Sequence, residues 1–67
     1  MMSEREIWDA AASMVGRYGF DAPLVAGDHS DALTKEGKID ESETWQRILR
    51  AIVRLLAEMP APGETVH

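Results

Sequence analysis

The sequence predicts an all-α protein, a compact bundle of three helices. Apolar residues recur every three or four positions near both ends of the chain, which is the period of an α-helix. Glycine and proline divide the 67 residues into helix-length segments. Neither long segment alternates with the period of two that a strand requires. We therefore expect helices over about 4–18, 22–36 and 41–58 in a domain of residues 1–59, followed by a mobile tail over 60–67.

Helix 1 is predicted by a capping box and an apolar stripe. The Ser3 hydroxyl is placed to cap the amide of Glu6, and the Glu6 carboxylate is placed to return to the amide of Ser3. One apolar stripe follows, with Trp8 at its edge, and consists of Ile7, Ala11, Met14, Val15 and Tyr18. Gly19 comes next, and glycine commonly ends a helix in a left-handed conformation.

Helix 2 has the weakest apolar face. Asp21 is the expected N-cap, and Pro23 in the first turn lacks no donor that the helix needs. The face is rich in alanine and consists of Ala22, Val25, Ala26, Ala32 and Leu33. Gly27 lies inside the helix at a cost of about 1 kcal/mol relative to alanine. We therefore expect helix 2 to bury little surface.

Helix 3 has the strongest signals and is the expected hydrophobic spine, which helices 1 and 2 cover. The run from Asp40 to Glu43 is typical of a second capping box, with acids at the positive helix end. A broad apolar face follows, formed by Trp45, Ile48, Leu49, Ile52, Val53, Leu55, Leu56 and Met59. Pro60 ends the helix.

Composition limits the classes of function. A formal net charge of −5 lacks the basic footprint of a nucleic-acid-binding protein. The longest apolar runs are three residues, whereas a membrane span needs about 20, and the acidic N-terminus is unlike a secretory signal. The absence of cysteine fits a reducing compartment. We therefore expect a cytoplasmic protein that binds neither nucleic acid nor a membrane.

An ordered set of short motifs spans nearly the whole chain. The set comprises Ile7-Trp8-x-Ala10-Ala11, Met14-Val15-x-Arg17-Tyr18-Gly19-x-Asp21-Ala22, Ala26, Asp31-Ala32-Leu33, Gly37, Trp45-x-Arg47-Ile48, Ala51-Ile52, Leu55, Pro60 and Gly63-Glu64. In this order the motifs resemble a family of small uncharacterised helical proteins common in alphaproteobacteria. The chain departs from that family at His29, where members carry arginine, and at Lys38, where they carry aspartate. The resemblance implies a bacterial helical protein and no particular activity.

No motif typical of catalysis occurs in the chain. It has no nucleophile elbow, Gly-rich phosphate loop or metal-ligand spacing. The carboxylates of Asp28, Asp31, Glu41 and Glu43 are expected as caps and solvated groups. His29 is expected to be half-buried on the apolar face of helix 2, although a lone histidine also serves as a ligand, base or pH switch. So short a chain leaves little volume for pockets of about 300 Å³. We therefore expect no enzyme activity, no cofactor and no metal.

Trp8, Phe20 and Leu24 are the candidate contact residues. Trp8 lies at the edge of its stripe, and Leu24 lies off the core face of helix 2 beside Phe20 and Pro23. Together the last three form a small apolar patch, and such patches mark contacts. A two-fold homodimer would cover the patch. The leading hypothesis is therefore a small non-enzymatic protein-interaction or regulatory module, with an unidentified protein partner or a second copy.

Arg47, Arg50 and Arg54 form a basic stripe opposite the apolar face of helix 3. The stripe is either a solvated helix face, with Arg54 favoured by the helix dipole, or a site for phosphate or an acidic partner. The second hypothesis is accordingly a small-ligand or anion sensor that uses these arginines together with His29. A third is an acidic decoy of a nucleic-acid-binding protein, which the mixed charges of helix 3 do not favour.

Overall fold

The computed structural model describes residues 2–58, and these residues are predominantly helical. The α-helices are α1 (Glu4–Tyr18), α2 (Ala22–Lys35) and α3 (Ile39–Ala57), and a short 3₁₀ helix, Gly19–Asp21, joins the first two. Helix accounts for 89% of residues 2–58, and these residues include no strand. The predicted all-α class is therefore confirmed.

The chain from Glu4 to Lys35 forms one bent helical arm. Gly19, with φ of +57°, ends the helical path of α1, and the 3₁₀ turn Gly19–Asp21 leads directly into α2 without an open loop. Both parts of the arm pack against α3, whereas α1 and α2 contact each other much less. The described residues therefore form a compact body of a bent arm and α3, not three helices that each pack equally on the other two.

The arm reverses direction at its bend. The α2 part runs antiparallel to α3, because His29 stacks on Trp45 while Thr34, further along α2, reaches back to Ser42. The α1 part runs parallel to α3. Met2 lines a hollow with Trp45, whereas the Ile7–Trp8 pair lies beside Ala51 and Arg54. The bend thus places the N-terminal turns of α1 beside the middle of α3.

A small core lies between α3 and the arm. Its buried apolar residues are Ile7 and Ala11 from α1, Ala22 and Ala26 from α2, and Ile48, Ala51 and Ile52 from α3. The predicted alanine-rich face of α2 is confirmed at Ala22 and Ala26, whereas Ala32 is exposed and its place on that face is wrong. Val53 is 52% exposed, so its expected place in the apolar face of helix 3 is wrong. The narrow alanine face of α2 does not reach far enough around α3 to cover it.

The capping box of α1 is confirmed. The Glu6 amide donates to Ser3 Oγ at 3.2 Å, and the Ser3 amide donates to Glu6 Oε1 at 3.1 Å. The bond from the Ser3 backbone amide, and secondly the Ser3 hydroxyl, hold the pKa of the Glu6 carboxyl below its usual value. Glu6 thus anchors the start of the arm through a charge-assisted hydrogen bond.

The side-chain capping bonds expected at the starts of α2 and α3 do not form. α3 begins at Ile39 with Lys38 at the N-cap position, and no side chain caps it. Asp40 lies in the first turn of α3, past the N-cap position, so the run from Asp40 to Glu43 forms no capping box. Asp21 occupies the N-cap position of α2, as predicted, but its side chain makes no cap hydrogen bond. The backbone before α2 is already helical at Asp21, and the backbone before α3 forms a tight turn at Gly37 and Lys38.

Gly37 allows the tight turn between α2 and α3. It has φ of +79°, a conformation that costs other residues steric strain. The Lys38 amide donates to the Leu33 carbonyl at 2.9 Å, and the Gly37 amide donates to the Thr34 carbonyl at 3.0 Å. This pair of bonds is a Schellman motif, which ends α2 and starts α3 within three residues.

Residues 59–67 lie outside the described part of the chain. The predicted domain limit at residue 59, the tail over 60–67 and the place of Met59 in helix 3 therefore stay predictions. Among residues 2–58, none of the helices is both long and apolar enough to cross a membrane.

Candidate functional site

An open groove of about 320 Å³ lies between α1 and α3. Its walls are formed by Glu4, Ile7 and Trp8 from α1 and by Arg47, Arg50, Ala51 and Arg54 from α3. We call it the arginine groove. Trp8 and the three arginines, which the sequence suggested as parts of two different candidate sites, thus lie in one place.

The spacing of the lining residues explains how the groove forms. Arg47, Arg50 and Arg54 are three and four residues apart, so they share one face of α3. Ile7 is buried at 5% exposure, and the neighbouring Trp8 is half-buried where α1 meets that face. The small side chain of Ala51 leaves the space between the two helices open.

The arginine groove carries an excess of positive charge. Glu4 is the one carboxylate among its lining residues. Among residues 2–58, one ion pair has its charged atoms within 4.0 Å of each other. It joins Lys38 Nζ to Glu36 Oε1 at 3.5 Å and lies away from the groove. The three guanidinium groups are therefore exposed and have no carboxylate contact in the described structure, although the whole chain has a net charge of −5.

An acidic region follows directly on the same helix. Asp40, Glu41 and Glu43 line a second open hollow of about 400 Å³ together with Thr44 and Arg47. The exposed side of α3 therefore changes from negative to positive along its length, with Arg47 at the boundary. The local sequence pattern favours a helix cap for these acids and does not connect them with the basic stripe.

Hollows of more than about 300 Å³ occur on the surface of residues 2–58, but they are open to solvent and so do not contradict the expected lack of volume for pockets that hold small molecules. Besides the two hollows on α3, a third of about 360 Å³ is lined by Met2, Leu33, Glu41, Thr44 and Trp45. The first and third lie where α3 meets other segments of the chain, whereas the second lies on α3 alone.

Phe20 and Leu24 are exposed, as predicted. Their exposed fractions are 44% and 68%, and Pro23 between them is half-buried. Neither residue lines the arginine groove. The candidate contact residues of the sequence analysis thus divide between the groove, which contains Trp8, and a separate apolar surface at the bend of the arm.

His29 is an exposed residue, so the expectation of a half-buried histidine is wrong. Its ring stacks on Trp45, with 4.5 Å between the ring centroids and 17° between the ring planes. The stack covers one side of Trp45 where α2 crosses α3. His29 does not line the arginine groove, so the structure does not bring it together with Arg47, Arg50 and Arg54.

A buried hydroxyl cluster joins α2 to α3, and the sequence analysis missed it. Ser30 and Ser42 are 4% and 2% exposed, and their Oγ atoms are 2.9 Å apart. Ser42 Oγ donates to the Ser30 carbonyl at 3.0 Å and lies 2.7 Å from Thr34 Oγ1. One feature of the sequence points to this cluster. Ser30 follows Ala22 and Ala26 at intervals of four, so the three residues share the small-residue face of α2.

The carboxylates gather no metal site in the described part of the chain. Asp28, Asp31, Glu41 and Glu43 are exposed. Within residues 2–58, three or more His, Asp or Glu side chains nowhere come close enough together to hold a metal ion.

Comparison with protein-family models, with curated proteins and with solved structures gives no match for this chain. The residues and charges of the arginine groove are therefore the main guide to function.

Proposed function

We propose that the protein is a small non-enzymatic interaction module that docks an acidic protein segment in the arginine groove. The observation that carries this proposal is the position of a half-buried Trp8 beside three arginines that have no carboxylate contact among residues 2–58. Tryptophan and arginine are the residues that most often contribute large shares of binding energy at protein interfaces.

The two kinds of side chain have complementary roles in this proposal. Half-buried Trp8 offers apolar surface to a partner side chain, and contact there removes that surface from water. The guanidinium groups of Arg50 and Arg54 form paired hydrogen bonds to carboxylates, which fix the orientation of the partner. Rim charges of this kind speed association and select the partner, while the apolar contact supplies affinity.

A second candidate function is a small-ligand or anion sensor that uses Arg47, Arg50 and Arg54. The convergence of three cations on one groove of about 320 Å³ favours it. The groove is open on one side, however, whereas small-molecule sites bury most of their ligand. A segment of a protein partner, which contacts the groove along its length, fits an open groove better than a small anion does.

The setting of the module is also a proposal. We infer a three-helix bundle that acts in the bacterial cytoplasm, supported by the cysteine-free composition and by the resemblance to small alphaproteobacterial helical proteins. The non-enzymatic assignment is supported by the lack of nucleophile, phosphate-loop and metal-ligand motifs in the sequence.

Binding of a fluorescein-labelled peptide of alternating glutamate and leucine tests the proposed function by fluorescence anisotropy. We expect Trp8→Ala and Arg50→Gln each to weaken binding about tenfold, the scale of an interface anchor. Arg17→Gln is the matched control, because it removes the same charge from an exposed helical position outside the groove. It should change the dissociation constant less than about twofold.

Equal binding by Arg50→Gln and Arg17→Gln would contradict docking in the groove. Inorganic phosphate separates the two candidate functions. If phosphate raises the melting temperature of the wild type but not of Arg50→Gln, and the peptide does not bind, the anion sensor is the better description.

A further inference from the structure

The exposed face of α3 is self-complementary in charge. Five charged residues follow one another at intervals of three and four, namely Asp40, Glu43, Arg47, Arg50 and Arg54. At about 100° per residue they fall within an arc of about 80°. The first two are acidic and the last three are basic, so the face has a negative half and a positive half.

We propose that the acidic segment that occupies the arginine groove is the N-terminal half of α3 from a second copy of this chain. The inference rests on the proposed function and names its partner. Two α3 helices lie antiparallel about a two-fold axis. Glu43 of each copy meets Arg50 of the other, and Asp40 meets Arg54.

The spacing of the charges favours this antiparallel register. With a rise of about 1.5 Å per residue, Asp40 and Arg54 are about 21 Å apart along the helix, and Glu43 and Arg50 are about 10 Å apart. Both pairs have their midpoint within one residue of Arg47, so a single two-fold axis satisfies them together. A parallel arrangement would place like charges opposite each other.

The charges on this face are available for contact between copies. Glu43 and Arg47 are four residues apart, a spacing that often gives an ion pair within a helix. In the described structure neither the Glu43 carboxylate nor the Arg47 guanidinium has an oppositely charged group within 4.0 Å. The ion pair that forms among residues 2–58 joins Lys38 to Glu36 instead. The two Arg47 side chains would lie nearest the axis, flanked by the Glu43 carboxylates.

The groove also provides an apolar contact at each end of the paired helices. Trp8 lies beside Arg50 and Arg54, where the acidic half of the second α3 would dock. Exposed ion pairs alone hold proteins together weakly. Charge therefore sets the register of the pairing, and Trp8 adds buried apolar area on both sides of the axis.

Sedimentation equilibrium of the full chain at low salt tests this proposal. We expect a concentration-dependent mass that approaches twice the 7.4 kDa of the chain. Glu43→Arg and Arg50→Glu should each weaken the dimer about tenfold or more, and the double variant Glu43→Arg/Arg50→Glu should restore it to within about threefold of the wild type. Raising the salt from about 50 mM to about 500 mM should weaken the wild-type dimer.

Two variants control for unspecific effects. Arg17→Glu reverses a charge outside the face and should leave the dimer unchanged. Leu24→Glu tests the apolar surface at the bend, which is the other place where two copies could meet. Circular dichroism of each variant checks that the helices are intact.

Several outcomes would overturn the self-pairing. One is a mass of 7.4 kDa at all concentrations up to the millimolar range. Another is a dimer that Leu24→Glu disrupts while the charge reversals have no effect. If the chain stays monomeric but Arg50→Glu abolishes binding of the glutamate–leucine peptide, the self-pairing is wrong and the proposed docking function stands.

Discussion

Ser30 and Ser42 show how single side chains hold α2 against α3. Both hydroxyls are buried, and in the described part of the chain every buried side-chain nitrogen or oxygen has a hydrogen-bond partner. Each serine bonds to the backbone carbonyl of the other, at 3.3 and 3.0 Å, which is possible only where the two helix backbones approach closely. A one-turn slip of α2 along α3 would leave these groups unpaired, so the cluster sets the register of the two helices.

Replacement of Ser42 by alanine should lower the free energy of unfolding by about 1–3 kcal/mol, because it leaves buried partners of the hydroxyl unpaired. Ser13→Ala, at an exposed position of α1, is the control and should change stability by about 0.5 kcal/mol or less. Urea denaturation followed by circular dichroism measures both. The double variant Ser30→Ala/Ser42→Ala should cost less than the sum of the single changes, since the two hydroxyls share partners. Equal stability of Ser42→Ala and Ser13→Ala would show that the cluster does not hold the helices together.

Glu6 gives the fold a pH dependence at its N-terminus. Its pKa is lowered in the folded chain by the Ser3 amide and hydroxyl. The resulting stabilisation is fully present above the pKa of glutamate in the unfolded chain, and it is lost as pH falls through the lowered pKa of the folded state.

Glu6→Gln keeps a side chain that can complete the capping box but removes this titration. We expect the stability difference between wild type and Glu6→Gln to shrink as pH falls from neutrality to below the usual pKa of glutamate. Thermal melts at a series of pH values, repeated at high salt to screen long-range charge, measure the difference. A difference that stays constant across this pH range would mean that the capping bond does not depend on the carboxylate charge.

At the scale of the helices, α3 carries most of the core. Ile48, Ala51 and Ile52 are buried on one side of it, between the two parts of the bent arm. The next residue, Val53, faces solvent because each step along a helix turns the side chain by about 100°. Ile52 and Val53 are therefore a matched pair of aliphatic residues with opposite surroundings.

Ile52→Ala should lower the free energy of unfolding by about 2–5 kcal/mol, the cost of emptying a fully buried aliphatic site. A core of this size supplies only about 3–5 kcal/mol, so we expect the variant to be largely unfolded at room temperature. Val53→Ala, at a position that is 52% exposed, should change stability by about 0.5 kcal/mol or less. A cooperative melt of Ile52→Ala near the wild-type midpoint would show that Ile52 is not central to the core.

The helices could be predicted where local signals mark their ends. Helix 1 was predicted over 4–18 and is observed at Glu4–Tyr18, since a capping box and Gly19 mark its limits. Helix 3 starts two residues before the expected position, at Ile39 instead of Glu41. There the expected N-cap residue, Asp40, already lies in the first turn, because the turn at Gly37 leads the chain into α3 before Asp40 is reached.

The arginine groove was predictable only in part. The spacing of Arg47, Arg50 and Arg54 predicted a basic stripe, and the edge position of Trp8 predicted a surface tryptophan. Their meeting depends on α1 running parallel to α3, which the bend at Gly19–Asp21 decides. No local sequence signal gives the angle of that bend.

At the scale of the whole molecule, charge is unevenly distributed. The chain has a net charge of −5, yet three of its seven basic residues line one groove. The acids Asp40 and Glu43 lie on the same face of α3, on the other side of Arg47. A molecule that is repelled by most acidic proteins can therefore still pair with one in a defined orientation, including a second copy of itself.

The central claim is that this face of α3, with Trp8, is the docking surface. The indole N–H resonances of Trp8 and Trp45 in ¹H–¹⁵N spectra test it directly, because Trp8 lies in the groove and Trp45 lies outside it under His29. On dilution of the wild-type protein at low salt, we expect the Trp8 resonance to move with concentration, and salt of about 500 mM to reverse the movement. The Trp45 resonance should stay fixed. A Trp8 resonance that is independent of concentration and also unaffected by the glutamate–leucine peptide would contradict the claim.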